Sequence, residues 1–194
     1  FGSKRAYVTT TWISEDGEPV SKKISISGWV LVFIRGCAIL LVILIGLVLK
    51  FLLRFFEKPL FGDRRPATPF ITVLVSKISL YLISIRVKRL GTPLERPGAL
   101  VANHSSWLDI FALNSSQRLY FVSKSEVARW PGIGLLAKAT GTLFIRREAK
   151  EAFAQKKLLE QRIKMGHKLL FFPEGTSTDG MRVLPFKSAL FQAF

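Results

Sequence analysis

From Trp29 to Leu49 the chain is apolar at every position except Arg35 and the small residues Gly36 and Gly46. A run of this kind needs apolar surroundings on all sides, either a protein core or a bilayer. Its charge-free part, Gly36 to Leu49, has 14 residues, against about 20 for a complete span. Arg35 is close enough to one end to snorkel. Lys50, Arg54 and Lys58 follow at four-residue spacing, with Phe51, Leu52, Leu53, Phe55 and Phe56 between them, the pattern of an amphipathic helix end at an interface. Bulky apolar residues surround the whole helix, which disfavours the alternative of a soluble core helix.

Pro59, Gly62, Pro66 and Pro69 are expected to break the chain over residues 57–69. A second apolar segment, Phe70 to Ile85, carries Lys77. Two topologies fit: a pair of hydrophobic helices that dips into one leaflet and returns, or a single span. In the second case the Lys and Arg excess from Lys50 to Arg89 places the C-terminal domain in the cytoplasm, at the inner membrane. The expected organisation is a polar tail over 1–27, membrane-anchoring helices over 28–85 and a catalytic domain over 86–194. The start lacks the layout of a secretory signal, because Glu15, Asp16 and Glu18 precede the apolar run.

Charge agrees with a membrane partner. The formal net charge is +16 and the mean hydropathy is +0.31. Such an excess favours a polyanion, and Lys and Arg beside a bilayer gain about 1 kcal/mol each near anionic lipid. Nucleic acid is disfavoured, because the aromatics cluster in the hydrophobic segments and do not alternate with basic residues as stacking platforms do. The single cysteine, Cys37, excludes an internal disulfide.

From residue 86 the pattern shortens. Strands are expected at Ile85–Arg89, at Ala99–Ala102 (buried), at Leu119–Val122, at Gly141–Ile145 and at Leu169–Phe172. A helix is expected from Ser105, and another over Lys150–Met165 with Phe153, Leu158, Leu159 and Ile163 on one side, ended by Gly166. The fold class this predicts is α/β: a mixed sheet flanked by helices, preceded by the pair of hydrophobic helices.

Four segments carry candidate chemistry. Asn103-His104-Ser105-Ser106-Trp107-Leu108-Asp109 follows a strand and opens a helix. A general base needs one free ring nitrogen and a carboxylate on the other. Residues five apart on a helix lie about 140° apart, so Asp109 reaches His104 only if the histidine sits in the turn before the helix. Taken alone, the same residues also read as an ordinary capping turn. Phe172-Pro173-Glu174-Gly175-Thr176-Ser177-Thr178 ends a buried strand at the sheet edge that ligands favour. Gly141 to Arg147 is a strand leading into paired arginines suited to an anion. Pro185-Phe186-Lys187 is the fourth segment.

Together, in order over residues 100–190, these segments resemble the glycerolipid acyltransferase family, whose best-known members are lysophosphatidic acid acyltransferases. The matching residues are His104 and Asp109, then Phe144 and Arg147, then Phe172 to Thr176, then Pro185. The resemblance implies direct acyl transfer from an acyl-carrier protein or coenzyme A thioester to a lysolipid hydroxyl. It makes His104 the general base and Asp109 its orienting partner, with no cofactor. Glu174 and Gly175, with Thr176, would position the acceptor. Phe144, Arg146, Arg147 and Pro185 complete the expected substrate contacts. Family members usually continue beyond the fourth motif, so a cut at Phe194 is expected. Many lysophosphatidic acid enzymes carry Arg where this chain has Ser177, followed by Thr178-Asp179-Gly180. That run looks more like bacterial lyso-ornithine lipid acyltransferases.

A serine hydrolase using Ser105 or Ser106 is the rival enzyme reading, although no Gly-x-Ser-x-Gly elbow exists in the chain. No metal site is expected. His167, the other histidine, sits in a polar turn where a surface role is the expectation.

Overall fold

A computed structural model describes residues 23–146 and 149–187. Residues 1–22, most of the expected tail, and Arg147 lie outside the described residues. Two helices come first, α1 (Ile26–Phe61) and α2 (Thr68–Leu82). The remainder alternates: β1 (Gly98–Val101), α3 (Leu108–Ser116), β2 (Tyr120–Lys124), α4 (Ile133–Thr140), β3 (Leu143–Ile145), α5 (Ala152–Lys164) and β4 (Lys168–Phe171).

α1 has 36 residues, a length of about 54 Å. It begins at the Ser25 cap, whose hydroxyl accepts the Gly28 amide. It runs through Pro59, which was expected to break the chain. Pro59 sits in the last turn, where it forfeits the bond its amide would have given the Phe55 carbonyl, and the helix ends two residues later. α1 is the one helix among the described residues long and apolar enough to cross a membrane, and only 6% of its most apolar window is buried. Trp29, Phe33, Phe55 and Phe56 are all exposed.

Two features fasten α2 to α1. A Cβ on Gly46 would meet Val75 Cγ2 at 2.4 Å, so the helices cross at a distance only glycine allows. The buried Glu57 then caps α2: Oε1 accepts the amides of Ala67 (2.7 Å) and Thr68 (3.2 Å), and Oε2 accepts the Thr68 hydroxyl (2.6 Å). A carboxylate there satisfies the orphan amides and complements the helix dipole.

The sheet order is β1-β4-β2-β3, and every described pairing is parallel. A mixed sheet was the expectation. Ile85–Arg89, expected as a strand, forms none. The Ile/Val alternation there finds no neighbouring strand, and Val87 is 43% exposed. The other strands are joined by helical crossovers, which parallel pairing requires.

Apolar residues alternate to fill both faces of the sheet. Tyr120, Val122, Leu143, Ile145, Leu169 and Phe171 pack with Leu159 of α5 on one side. Phe121 and Leu170 pack with Leu100, Leu113 and Phe172 on the other. β1 is an edge strand with Val101 44% exposed, less buried than expected. On α5, Leu159 and Ile163 face the core as expected. Phe153 (82% exposed) and Leu158 do not, because they lie about 240° and 100° away from Leu159 around the helix.

His167 departs most from its expected surface role. Gly166, at φ +94°, ends the last turn of α5, and the chain turns inward. His167 is 2% exposed and stacks on Tyr120 at 4.0 Å. Its Nε2 donates to Arg64 O (3.0 Å), tying the sheet to the α1–α2 turn. Burial pushes the imidazole down to about 4, against the opposing Arg64 bond and with help from the Arg162 and Arg65 cations. A histidine lowered in the folded state takes its proton first in the unfolded chain. It therefore contributes stability above about pH 6.5 that is lost progressively as the pH falls to about 4. The loss approaches about 3 kcal/mol. Chemical denaturation of the detergent-solubilised protein between pH 7 and 4 is expected to show it. His167→Phe keeps the ring stack and should flatten that pH dependence; an unchanged slope would place the acid sensitivity elsewhere.

Candidate active site

β1 and β4 are neighbours, so the loops leaving their C-terminal ends meet. One carries residues 102–107 and the other residues 172–178. This brings the first and third motifs into contact although about 70 residues separate them in sequence.

His104 lies in the turn before α3, and Asp109 lies in the first turn of that helix. His104 Nδ1 and Asp109 Oδ2 are 2.7 Å apart. Asp109 Oδ2 also accepts the amides of Ser105 (2.8 Å) and Ser106 (3.0 Å), and Oδ1 accepts the Ser105 hydroxyl (3.2 Å). The carboxylate thus folds the preceding turn back onto the helix start, where the dipole also favours it. Burial opposes its charge. The Ser106 amide, the His104 ring and the Ser105 amide outweigh that and hold the carboxyl below its ordinary value. An acceptor on this side fixes the proton on Nδ1 and leaves Nε2 with its lone pair. No described residue hydrogen-bonds Nε2. The side chains of His104 and Asp109 are 23% and 21% exposed, so the pair is shielded yet reachable.

Three residues of the loop after β4 hold His104 in place, and sequence reasoning missed their purpose. Phe172 stacks on the ring at 4.1 Å with 17° between planes. The His104 amide donates to Glu174 Oε1 at 2.7 Å. The His104 carbonyl accepts the Thr178 amide (2.8 Å) and hydroxyl (3.2 Å). The backbone of His104 is therefore bracketed on both sides by the loop after β4.

Glu174, expected to position an acceptor, is 1% exposed, and its second oxygen accepts the Leu184 amide at 2.9 Å. Both oxygens are committed to backbone. Gly175 takes φ +74°, a conformation that favours glycine and lets the chain reverse just after the carboxylate. Thr176 and Ser177 follow, half-buried, on the same loop. Pro185 is exposed on a strap tied back by Lys187 N to Pro173 O (3.0 Å) and by the Leu184–Glu174 bond.

The second motif sits apart. β3 is three strands from β1, a lateral offset of about 14 Å. Phe144 is half-buried within β3. Arg146 is exposed, with Nη1 3.3 Å from Glu151 Oε1 and its carbonyl bound by Gln155. The structure joins His104, Asp109, Glu174 and Thr178 into one assembly. It leaves Phe144 and Arg146 farther along the same sheet edge.

The serines do not form a nucleophile–base pair. Ser105 Oγ is turned to Asp109, and Ser106 Oγ accepts the Leu108 amide at 3.0 Å. Neither hydroxyl is hydrogen-bonded to the His104 ring. Among the described residues no cluster of His, Cys, Asp and Glu has the geometry of a metal site.

The Acyltransferase family model matches residues 84–194. The chain belongs to the acyltransferase family. Its relatives include a lyso-ornithine lipid O-acyltransferase of Rhodobacter capsulatus, 53% identical over 183 residues, which cover 94% of this chain and 66% of that protein. A 1-acyl-sn-glycerol-3-phosphate acyltransferase of Neisseria gonorrhoeae is 39% identical over 98 residues, 50% of this chain and 38% of its own length. The chain thus spans less than two thirds of these curated relatives. The crystal structure of the 1-acyl-sn-glycerophosphate acyltransferase of Thermotoga maritima superposes with a TM-score of 0.53 over 82% of this chain and 70% of that one, at 23% identity. That acyltransferase shares the α/β fold with the parallel sheet.

Proposed function

We propose that this acyltransferase is a membrane-bound lysolipid O-acyltransferase, with residues 28–85 as its anchor and 86–194 as its catalytic domain. The observation that carries the reading is the His104–Asp109 pair, 2.7 Å apart with Nε2 uncommitted at the C-terminal edge of the sheet. Nε2 takes the proton of the acceptor hydroxyl as its oxygen attacks the thioester carbonyl of an acyl-carrier protein or coenzyme A donor. The carbon–sulfur bond then breaks, and the imidazolium returns the proton to the departing thiolate. Asp109 stabilises the imidazolium between these steps. No acyl-enzyme is formed, consistent with serines that do not face the histidine.

The exposed apolar surface of α1 supports attachment to the inner membrane, and the basic residues after it support a cytoplasmic catalytic domain. The +16 charge suits both an anionic bilayer and an acidic carrier protein. Arg146 and Arg147 are positioned in sequence to meet a phosphate or carboxylate, with Phe144 beside them.

The acceptor we favour is a lyso-aminolipid such as lyso-ornithine lipid, with lysophosphatidic acid second. Ser177 stands where a phosphate-binding Arg would offer a bidentate fork, and Asp179, paired with Arg182 at 3.5 Å, adds a carboxylate nearby that suits an ammonium group. The relative with 53% identity carries a lyso-ornithine name, which agrees. Competition of the two acceptors for one donor tests it. The lyso-aminolipid should show the higher kcat/KM, and Ser177→Arg should move the ratio about tenfold toward the phosphate, the worth of one charge-assisted contact. A strong preference of the unaltered protein for lysophosphatidic acid would overturn the assignment.

A further inference from the structure

A cavity of about 100 Å³ opens between the basic half of α1, the α1–α2 turn and the C-terminal end of α4. Its lining includes Lys50, Arg54, Arg65 and Lys138, with Phe51 and Thr68, and no acidic residue. Arg54 is answered by Glu57 (3.5 Å) and Asp63 (3.1 Å). Glu57 is already consumed in capping α2, and Asp63 is shared with Arg162. Among the described residues, Lys50, Arg65 and Lys138 have no carboxylate within 4.0 Å. Lys50 is only 6% exposed, with Nζ bonded to the Thr72 hydroxyl. Arg65 gives Nη1 to Ala139 O (3.3 Å) at the carbonyl end of α4, while its Nε is buried without a partner. Buried cations are ordinarily paired; here the buried Lys50, the half-buried Arg65 and the exposed Lys138 line one space, and the nearby carboxylates, Glu57 and Asp63, are engaged by α2 and by Arg54 and Arg162.

The position of the cavity says what fits it. Lys50 directly follows Leu49, the end of the apolar run, and Phe55 and Phe56 beyond it are 75% and 66% exposed. With the apolar run in hydrocarbon, the cavity lies at the depth of lipid phosphates, flanked by an aromatic girdle. It is also remote from His104. Arg65 packs against Gly141, just before β3, where a Cβ would meet its Nη1 at 2.7 Å. His104 follows the far end of β1, so the two places lie on opposite edges of the parallel sheet.

We propose that this cavity binds the phosphate of an anionic phospholipid headgroup between Lys50, Arg65 and Lys138, as a lipid site separate from the one at His104. Bidentate Arg and point-charge Lys donors suit that group. The bound lipid fixes α1 and α4 in one register against the bilayer.

The test is thermal unfolding of the full chain in a neutral detergent, titrated with dihexanoyl phosphatidylglycerol, dihexanoyl phosphatidylcholine or inorganic phosphate. A ligand that binds only the folded state raises Tm saturably. Phosphatidylglycerol should do so at the lowest concentration. The exposed Lys138→Glu and the near-isosteric Lys50→Met should each weaken the apparent affinity about tenfold, the worth of one charge-assisted hydrogen bond. The chemistry at His104 plays no part in this readout, so failure of one reading does not entail failure of the other. No saturable shift with phosphatidylglycerol would overturn the proposal. So would an equal shift from inorganic phosphate, which would mean a free-anion site, or an affinity unchanged in both variants.

Discussion

Replacing His104 with alanine is expected to lower acyl transfer by about 10²–10⁴-fold, the usual worth of a general base, while the protein still folds and binds membranes. The imidazole is partly exposed, and its backbone keeps the bonds to Glu174 and Thr178. Asp109→Asn should cost a similar factor. An amide can place its carbonyl oxygen where Oδ2 stands and keep the Nδ1–H bond, but it removes the negative charge that stabilises the imidazolium formed during transfer. Ser105→Ala and Ser106→Ala should retain substantial activity, because one hydroxyl bonds Asp109 and the other accepts the Leu108 amide, and neither bonds the His104 ring. Steady-state rates of the four variants decide the matter. A serine variant as inactive as the histidine variant would mean an acyl-enzyme and a different mechanism.

Glu174→Gln should have the second largest effect. The change is isosteric, yet Glu174 accepts two backbone amides, from His104 and from Leu184. A glutamine has one carbonyl oxygen, so one of those amides must face an NH₂ donor. Leaving a buried donor unsatisfied costs about 1–3 kcal/mol of stability. A displacement of about 1 Å at His104 costs up to about 10²-fold in rate. Glu174 is therefore a positioning residue, and the loss should fall on kcat with KM for the acceptor little changed. The opposite split, a raised KM at unchanged kcat, would return Glu174 to the role of acceptor contact.

How legible these residues were follows from the range of the interactions that fix them. His104 and Asp109 are five residues apart at a strand-to-helix junction, and a local turn suffices to join them. β2, β3 and β4 were legible because their apolar runs are too short for a helix and are bounded by turn residues. The all-parallel order was not, since it depends on which strands neighbour in space. Ile85–Arg89 alternates like a strand, but alternation cannot supply a pairing partner. His167 reads as polar from its neighbours, yet Gly166 turns it under Tyr120. The sequence around Glu174 shows a carboxylate in a loop near a sheet edge. Only the fold reveals that it faces the amide of a residue 70 positions earlier rather than open space.

Direct acyl transfer, with His104 as base, leaves the acyl group on the lysolipid and never on the protein. The most direct measurement offers the purified protein one labelled acyl thioester, carried on acyl-carrier protein and on coenzyme A, with a panel of lysolipids, and follows label into product and into protein. Direct transfer yields a diacyl product from at least one lysolipid, highest with a lyso-aminolipid, and the chain should carry no label when the acceptor is omitted. Stoichiometric acylation of the protein without acceptor, or hydrolysis of the thioester in place of transfer to every lysolipid, would contradict it.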